Sequence, residues 1–128
     1  QYYTFSMFDA QAWYARDAIL GRIKLPGESD MRADVETWQR REEALEDPIQ
    51  DIDFQTDYCK DLSEKVDYSL DWDLAAENFK HWEHHKEESI VGYRNHSHPS
   101  PVTGTQAPIH HTSWWEAMDD STESFLGS

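Results

Sequence analysis

The sequence predicts a mainly α-helical fold of four to five helices joined by long irregular segments, and three observations lead to this. Apolar residues recur at steps of three and four in four successive stretches that end near Glu88. Only Ile90 and Val91, just before Gly92, suggest a short strand. The stretch from Asn95 to Ser113 holds three of the five prolines and has no periodicity, which favours an irregular segment.

The first predicted helix lies within Gln1 to Pro26, the stretch richest in apolar and aromatic residues. Ser6 and Asp9 fit a capping box at its start, and Gly21 offers a stop. Because charged side chains leave only a narrow polar strip, we expect this helix to be buried, against more apolar surface than the rest of the chain offers. Its apolar stripe consists of Phe5, Phe8, Ala12, Ala15, Ile19 and Ile23, widened by Met7, Tyr14 and Ala18.

The second and third predicted helices are amphipathic. The second begins at Ser29 and is ended by Pro48, and the third covers about Asp51 to Asp67. Cys59 lies beside the apolar stripe of the third helix, where a lone cysteine is more typical of a small buried hydrophobe than of a nucleophile. The stripes are Met31, Val35, Trp38 and Leu45 on the second helix and Phe54, Tyr58, Leu62 and Val66 on the third.

Two further helices complete the predicted fold. Tyr68 to Asp73 mixes aromatic and acidic residues without a period and is interpreted as a loop. A fourth helix follows and runs to about Glu88. Its apolar face is Ala75, Phe79 and Trp82. Ser113 with Glu116 offers a second capping box for a short last helix, WWEAMDDSTESFL.

Composition excludes several classes of partner. The formal net charge is −15, and the stretch from Glu28 to Glu88 alone carries 20 acids against 7 bases. Such a field repels phosphate backbones, so we expect neither nucleic acid nor an anionic membrane as a partner. No stretch approaches the roughly 20 apolar residues of a membrane span. Cys59 is the only cysteine, so no intrachain disulfide is possible and a reducing, cytoplasmic location is expected.

The glycines limit what the chain can do alone. There are only five, and their spacing rules out a G-x-G-x-x-G turn for a dinucleotide pyrophosphate. A Walker loop and a G-x-S-x-G elbow are absent as well. We therefore assign no catalytic residue, and expect the chain to supply walls to sites whose phosphate-binding loops lie elsewhere.

Several separated blocks carry a family resemblance: MFDAQAWYARDAILGRIKLP, QTDYCKDL, HHKEESIVGYRNHS, TGTQAPIHHTSWW and DDSTESFL. In this order they resemble the C-terminal third or so of flavin-containing monooxygenases, and among these most closely the bacterial trimethylamine monooxygenases. The resemblance implies that residues 1–26 are the closing helix of an FAD-binding domain. It also implies that residues 27–128 are a helical and irregular C-terminal extension, which completes an α/β flavoprotein with two dinucleotide-binding domains.

The resemblance implies an NADPH- and oxygen-dependent enzyme that oxygenates an amine nitrogen or a sulfide, with a substrate like trimethylamine. The start at Gln1, without an initiator Met and directly on aromatic residues, is expected of a fragment. We expect the partners to be the missing N-terminal FAD and NADP domains and a second copy in a homo-oligomer. Neither FAD nor NADP is expected to bind tightly to these residues alone, which are not expected to be catalytically competent.

Four residues at the start of the chain are candidate FAD contacts. By resemblance, Gln1 and Thr4 correspond to positions that contact FAD, and Tyr2 and Phe5 are candidates to flank its ring. A helix N-terminus presents N–H groups and partial positive charge, which suit the electron-rich edge of a flavin. The alternative is that these aromatic side chains simply pack.

Arg94 is the candidate NADP contact. It is the only Lys or Arg beyond Lys86, the resemblance places it at an NADP-contacting position, and a guanidinium suits a phosphate or ribose partner. A salt bridge to one of the 26 acids is the alternative. Where the family commonly has a second arginine a few residues on, this chain has Pro99.

The seven histidines raise the question of a metal site. His81 and His85 have the i, i+4 spacing of a zinc half-site, and His110 and His111 lie in the last irregular segment. No H-E-x-x-H motif or cysteine pattern accompanies them, so we assign no metal ligand. Besides the monooxygenase fragment, two alternative functions remain open. The second candidate is a non-enzymatic acidic helical protein-interaction module, and the third is a small histidine metal-binding protein.

Overall fold

A computed structural model of the chain describes residues 2–106, and its helices confirm the mainly α prediction. The elements are α1 (Thr4–Ile19), α2 (Glu28–Glu43), α3 (Pro48–Ser63), α4 (Trp72–Glu88) and a 3-10 turn (Tyr93–Asn95). In the described part of the chain, the one β-type pairing is an isolated bridge between Pro99 and Gln106. No helix in this part is long and apolar enough to cross a membrane. Gln1 and the predicted last helix lie outside the described residues.

The ends of α1 confirm one of the two predicted signals. The helix begins at Thr4, so the predicted capping box at Ser6 is wrong, because Ser6 already lies inside the first turn. The stop at Gly21 is confirmed. Gly21 adopts a φ of 69°, and the N–H of Arg22 donates to the Asp17 carbonyl at 2.8 Å, the bond that closes a Schellman motif.

The boundary between α2 and α3 differs from the prediction. α2 ends at Glu43, and Pro48 starts α3 instead of ending α2. Proline suits a first helical position because the N–H that it lacks would have no partner there. Asp47 caps α3 by accepting a 2.8 Å hydrogen bond from the N–H of Gln50. α3 therefore begins and ends earlier than predicted, with its last residue at Ser63.

The connection into α4 was largely predicted. Tyr68 to Asp71 lie outside the helices, and Asp71 caps α4 by accepting from the N–H of Leu74 at 2.9 Å. α4 nevertheless starts at Trp72, inside the predicted loop.

Ile90 and Val91 do not form the suggested strand. They lie in a turn, and both side chains are exposed. The N–H of Gly92 donates to Oγ of Ser89 at 3.1 Å, which helps to close the turn. A strand requires a neighbouring strand for its backbone groups, and the described residues provide none here.

The core lies where α1 and α4 pack against α3. Its buried residues come from all three helices: Tyr3, Met7, Ala10, Ile52, Cys59, Leu62, Trp72, Ala75 and Ala76. Cys59 has no exposed surface, and burial raises the pKa of its thiol to about 12. The prediction of Cys59 as a small buried hydrophobe is confirmed, because a thiol with that pKa has almost no thiolate at neutral pH.

Most of the apolar stripe predicted on α1 is not covered by the described residues, whereas Met7 and Tyr14, which widen the stripe, lie on the packed side. Phe5, Phe8 and Ile19 are 87%, 55% and 84% exposed, and Ala12 and Ala15 are exposed too. The packed side carries Tyr3, Met7, Ala10 and Tyr14. Both sides are apolar, and within the described residues α1 packs mainly on α3, so only one of them is covered.

α2 is peripheral, and none of its residues is buried. It contacts α3 through Trp38, whose ring centroid lies 5.5 Å from those of Phe54 and Tyr58. Arg41 covers the Trp38 ring at 4.7 Å and forms an ion pair with Asp57 of α3. Its contacts to α3 are thus aromatic and ionic.

Replacing the fully buried Ile52 by alanine tests this core. Ile52→Ala is expected to lower the free energy of unfolding by about 2–5 kcal/mol, because the deletion leaves a cavity between packed helices. Urea denaturation followed by circular dichroism measures the change. The matched control is Ile49→Ala on the same helix, where the side chain is 41% exposed and the expected loss is below about 1 kcal/mol. Equal losses at the two positions would contradict the assignment of the core.

Candidate functional site at the amino end of α1

The amino end of α1 is fixed by the side-chain amide of Gln55 on α3. Its Oε1 accepts hydrogen bonds from the backbone N–H of Tyr2 at 3.0 Å and of Tyr3 at 3.5 Å. Its Nε2 donates to Asp51 at 2.8 Å, so both ends of this buried amide are paired. This replaces the predicted capping box: the contact comes from a residue more than fifty positions along the chain.

Tyr3 is the anchor of this region. Its ring contacts Phe79 and Trp72 with centroid distances of 4.9 and 5.7 Å, and its hydroxyl lies 2.7 Å from that of Thr56. Burial is the main reason that the pKa of Tyr3 rises to about 12. Tyr3 is not among the predicted site residues, because it stands outside the regular apolar stripe of α1.

Tyr2 and Phe5, both predicted to flank a cofactor ring, have different surroundings. The Tyr2 hydroxyl donates to Glu83 on α4 at 2.9 Å, and its ring lies 5.4 Å from that of Phe79. Burial and the contact with Glu83 raise the pKa of Tyr2 to about 12. Phe5 is exposed and Thr4 is half-buried, while Gln1 lies outside the described residues. Of the three described candidates, Phe5 is thus the exposed one, and the Tyr2 hydroxyl is engaged by Glu83.

Glu83 connects this region to the distal half of α4. Lys86 donates to the same carboxylate oxygen as Tyr2, at 2.8 Å. Burial acts to raise the pKa of Glu83, but the hydrogen bonds from Lys86 and Tyr2 outweigh it and the pKa is lowered. The carboxylate is therefore held ionised between a cation and a phenol.

Arg94 lies just beyond the carboxyl end of α4. It is exposed on the 3-10 turn, with its guanidinium 4.5 Å from the ring centroid of Tyr93. Tyr93 is buried against Trp82. Nζ of Lys86 lies 4.5 Å from the centroid of the same Trp82 ring. Contacts through α4 thus connect the turn that carries Arg94 to Tyr2 at the start of the chain.

Pro99 has a structural role. Its carbonyl accepts a 2.7 Å hydrogen bond from Asn78 of α4, and it pairs with Gln106 in the isolated bridge. The backbone at this position therefore attaches the irregular segment to α4.

The histidines do not form a metal centre in the described part of the chain. Across residues 2–106, no three or more His, Cys, Asp or Glu side chains are arranged to hold a metal ion. His81 and His85 lie on α4 as predicted, with ring centroids 6.3 Å apart. His110 and His111 lie outside the described residues.

Known proteins similar to this chain are trimethylamine monooxygenases. The chain is 55% identical over 127 residues to that of Pelagibacter ubique (strain HTCC1002), and 55% identical over 126 residues to that of Methylocella silvestris. Each match covers 98% of this chain, but only 29% and 28% of the respective relative. The crystal structure of Tmm from Pelagibacter sp. strain HTCC7211 is 53% identical with a TM-score of 0.89, over 98% of this chain and 29% of that one. No protein-family model matches the chain.

Removing the Glu83 charge is expected to destabilise the chain. Glu83→Gln should lower the free energy of unfolding by about 2 kcal/mol at neutral pH, because charge-assisted hydrogen bonds from Tyr2 and Lys86 are weakened. Since the pKa of Glu83 is lowered on folding, its stabilisation is present above about pH 4.5 and is lost as pH falls below that value.

Urea denaturation between neutral pH and about pH 3 measures both effects. The variant should show a weaker loss of stability in acid than the parent. Glu87→Gln, at an exposed position on the same helix, is the control and should change stability by less than about 0.5 kcal/mol. An unchanged acid profile in Glu83→Gln would contradict the pairing.

Proposed function

Because this chain is homologous along nearly its whole length to the C-terminal portion of trimethylamine monooxygenases, we propose that it is part of a flavin monooxygenase. The proposed enzyme uses NADPH and oxygen to oxygenate an amine nitrogen or a sulfide, with trimethylamine as the model substrate. The observation that carries the proposal is identity of 50–55% over 98% of the chain. The chain spans about 29% of the length of these relatives, and it lacks a glycine-rich dinucleotide loop, so its role is to complete the enzyme.

The proposed partner of this chain is the preceding FAD- and NADP-binding portion of the same polypeptide. The outward stripe of α1 supports this, because Phe5, Phe8 and Ile19 form an apolar surface that the described residues leave uncovered. Such surfaces are uncommon on free monomers and indicate a contact. Residues 1–26 would then close the FAD-binding domain, and residues 27–128 would form the C-terminal extension. Helix α3 of this extension packs on the covered side of α1.

The residues at the amino end of α1 fit the edge of a bound flavin. Thr4 offers a hydroxyl and Phe5 an exposed ring at the positively polarised end of a helix. Gln1 would add an amide, and Tyr2 would fix the backbone through its bond to Glu83. When bound, FAD would supply electron transfer and oxygen activation. The chain's own residues would bind and orient the flavin and would exclude water from it.

Arg94 is proposed to contact NADP. Its guanidinium is exposed and lies over the ring of Tyr93. Because Tyr93 is itself buried against Trp82, it restricts where the guanidinium can lie. A guanidinium can form paired hydrogen bonds with a phosphate, and pre-orientation lowers the entropic cost of doing so.

A second candidate function uses the same outward stripe of α1. An acidic helical interaction module would cover Phe5, Phe8 and Ile19 with a separate protein. The two hypotheses differ in what covers the stripe: the preceding part of the same polypeptide, or another chain.

Expression with and without the preceding in-frame coding sequence tests the proposal. We expect the longer protein to purify with FAD and to oxidise NADPH when trimethylamine is added. The 128-residue chain should do neither. Absorbance of the purified proteins and NADPH consumption measure this. Flavin bound to the short chain, or its absence from the longer protein, would overturn the proposal.

In the longer protein, Arg94→Gln should raise the KM for NADPH by roughly tenfold or more, because a charge-assisted contact is lost. Steady-state kinetics at varied NADPH measures it. Arg40→Gln, an exposed arginine on α2, should leave this KM unchanged. Equal KM values in Arg94→Gln and the parent would remove Arg94 from the site.

The outward stripe also predicts the behaviour of the 128-residue chain in solution. We expect a dimer or larger species, because Phe5, Phe8 and Ile19 have no cover within the described residues. Phe8→Glu should shift the population towards monomer in light scattering after size exclusion. Val102→Glu, at a position that is 71% exposed and remote from α1 in sequence, is the control. A monomeric parent would contradict the expectation.

A further inference from the structure

Four imidazoles lie together between α4 and the irregular segment that follows the 3-10 turn. His81 and His85 belong to α4, and His96 and His98 to the segment. The rings of His85 and His96 are parallel within 1°, with centroids 3.5 Å apart. The His98 centroid lies 6.5 Å from that of His81 and 6.3 Å from that of His85. Each of these rings is therefore within close electrostatic range of at least one other.

The segment from His96 to Gln106 is attached to α4 beside these rings. The carbonyl of Pro99 accepts from the Asn78 side chain at 2.7 Å, and that of Pro101 accepts from the backbone N–H of Asp71 at 2.9 Å. These two bonds report directly on whether the segment is docked, since both cross from the segment to α4 or its cap.

Among the described residues, one carboxylate forms ion pairs with these rings. Glu88 lies 3.3 Å from Nδ1 of His85, and it also lies 3.4 Å from the outer ring of His84. One carboxylate can balance one imidazolium, but a second proton would meet like charge across the cluster.

His98 is poorly placed to be a cation. Its Nε2 is buried and has no hydrogen-bond partner among the described residues, whereas an imidazolium requires acceptors for two N–H groups. Burial, followed by the proximity of His85, His81 and His96, lowers the pKa of His98. Docking of the segment is therefore favoured by a neutral His98 ring.

We propose that His98, packed beside His81, His85 and His96, forms a pH-sensitive latch, which holds the segment from His96 to Gln106 on α4 while its ring is neutral. The undocked segment binds a proton at His98 more readily than the docked one. Docking is therefore complete above the ordinary histidine pKa of about 6.5 and weakens as pH falls below it. This inference is independent of the proposed oxygenase function.

Amide hydrogen exchange in the 15N-labelled chain, followed by NMR, tests the latch. Between about pH 7.5 and about pH 5, the protection factor of the Asp71 amide should fall by about tenfold, after correction for intrinsic exchange rates. The Cys59 amide in the core should keep its protection over the same range, which separates local release from unfolding. An Asp71 protection factor that does not change would overturn the latch, as would equal losses at both amides.

Two variants locate the effect. In the double variant His85→Gln, His98→Gln, the Asp71 protection factor should change by less than about twofold over the same pH range, because position 98 no longer carries an ionisable ring. His84→Gln, on the exposed outer side of the cluster, should retain the loss seen in the parent. The same loss in the double variant would overturn the proposal.

If the double variant fails to dock at neutral pH, the ring proton signals of the parent decide the question. A His98 titration midpoint below that of an unstructured histidine supports the latch, and a midpoint at or above it refutes it.

Discussion

The hydrogen bonds of Gln55 determine how α1 meets the rest of the molecule. A buried amide must pair its oxygen and its nitrogen, and Gln55 does so with the N–H groups at the start of α1 and with Asp51. This fixes the first turn of α1 over α3 and directs the Tyr3 ring against Phe79 and Trp72 of α4. Once Tyr3 is inside, helical periodicity places Met7 and Ala10 inside as well, and the opposite stripe must face outward.

A helix that is apolar on both sides requires two partners, and within the described residues α1 packs mainly on one, α3. α3 and α4 cover one side through Tyr3, while Phe5 and Ile19 remain exposed on the other. Burying side chains of that size stabilises an interface by about 1.5–3 kcal/mol each.

Helical periodicity predicted that the four helices exist, but not which stripe of α1 is buried or where each helix begins. The stop at Gly21 could be predicted because it depends only on neighbouring residues, whereas the local signals at Ser6 and Pro48 were misassigned. The packing of the amino end could not be predicted, since Gln55 and Glu83 reach it from distant positions and leave no pattern in the sequence. The candidate FAD and NADP contacts came from resemblance, because no local motif marks Thr4 or Arg94.

α4 supports the candidate contacts and the imidazole cluster at the same time, yet it keeps them separate. Glu83 holds Tyr2, and Trp82 holds the buried Tyr93 beside Arg94. The cluster lies beside the segment beyond that turn, which is attached by bonds from Asn78 to Pro99 and from the Asp71 N–H to Pro101. Because Tyr93 packs on α4 independently of those bonds, release of the segment in acid should leave the Arg94 turn and the amino end of α1 in place.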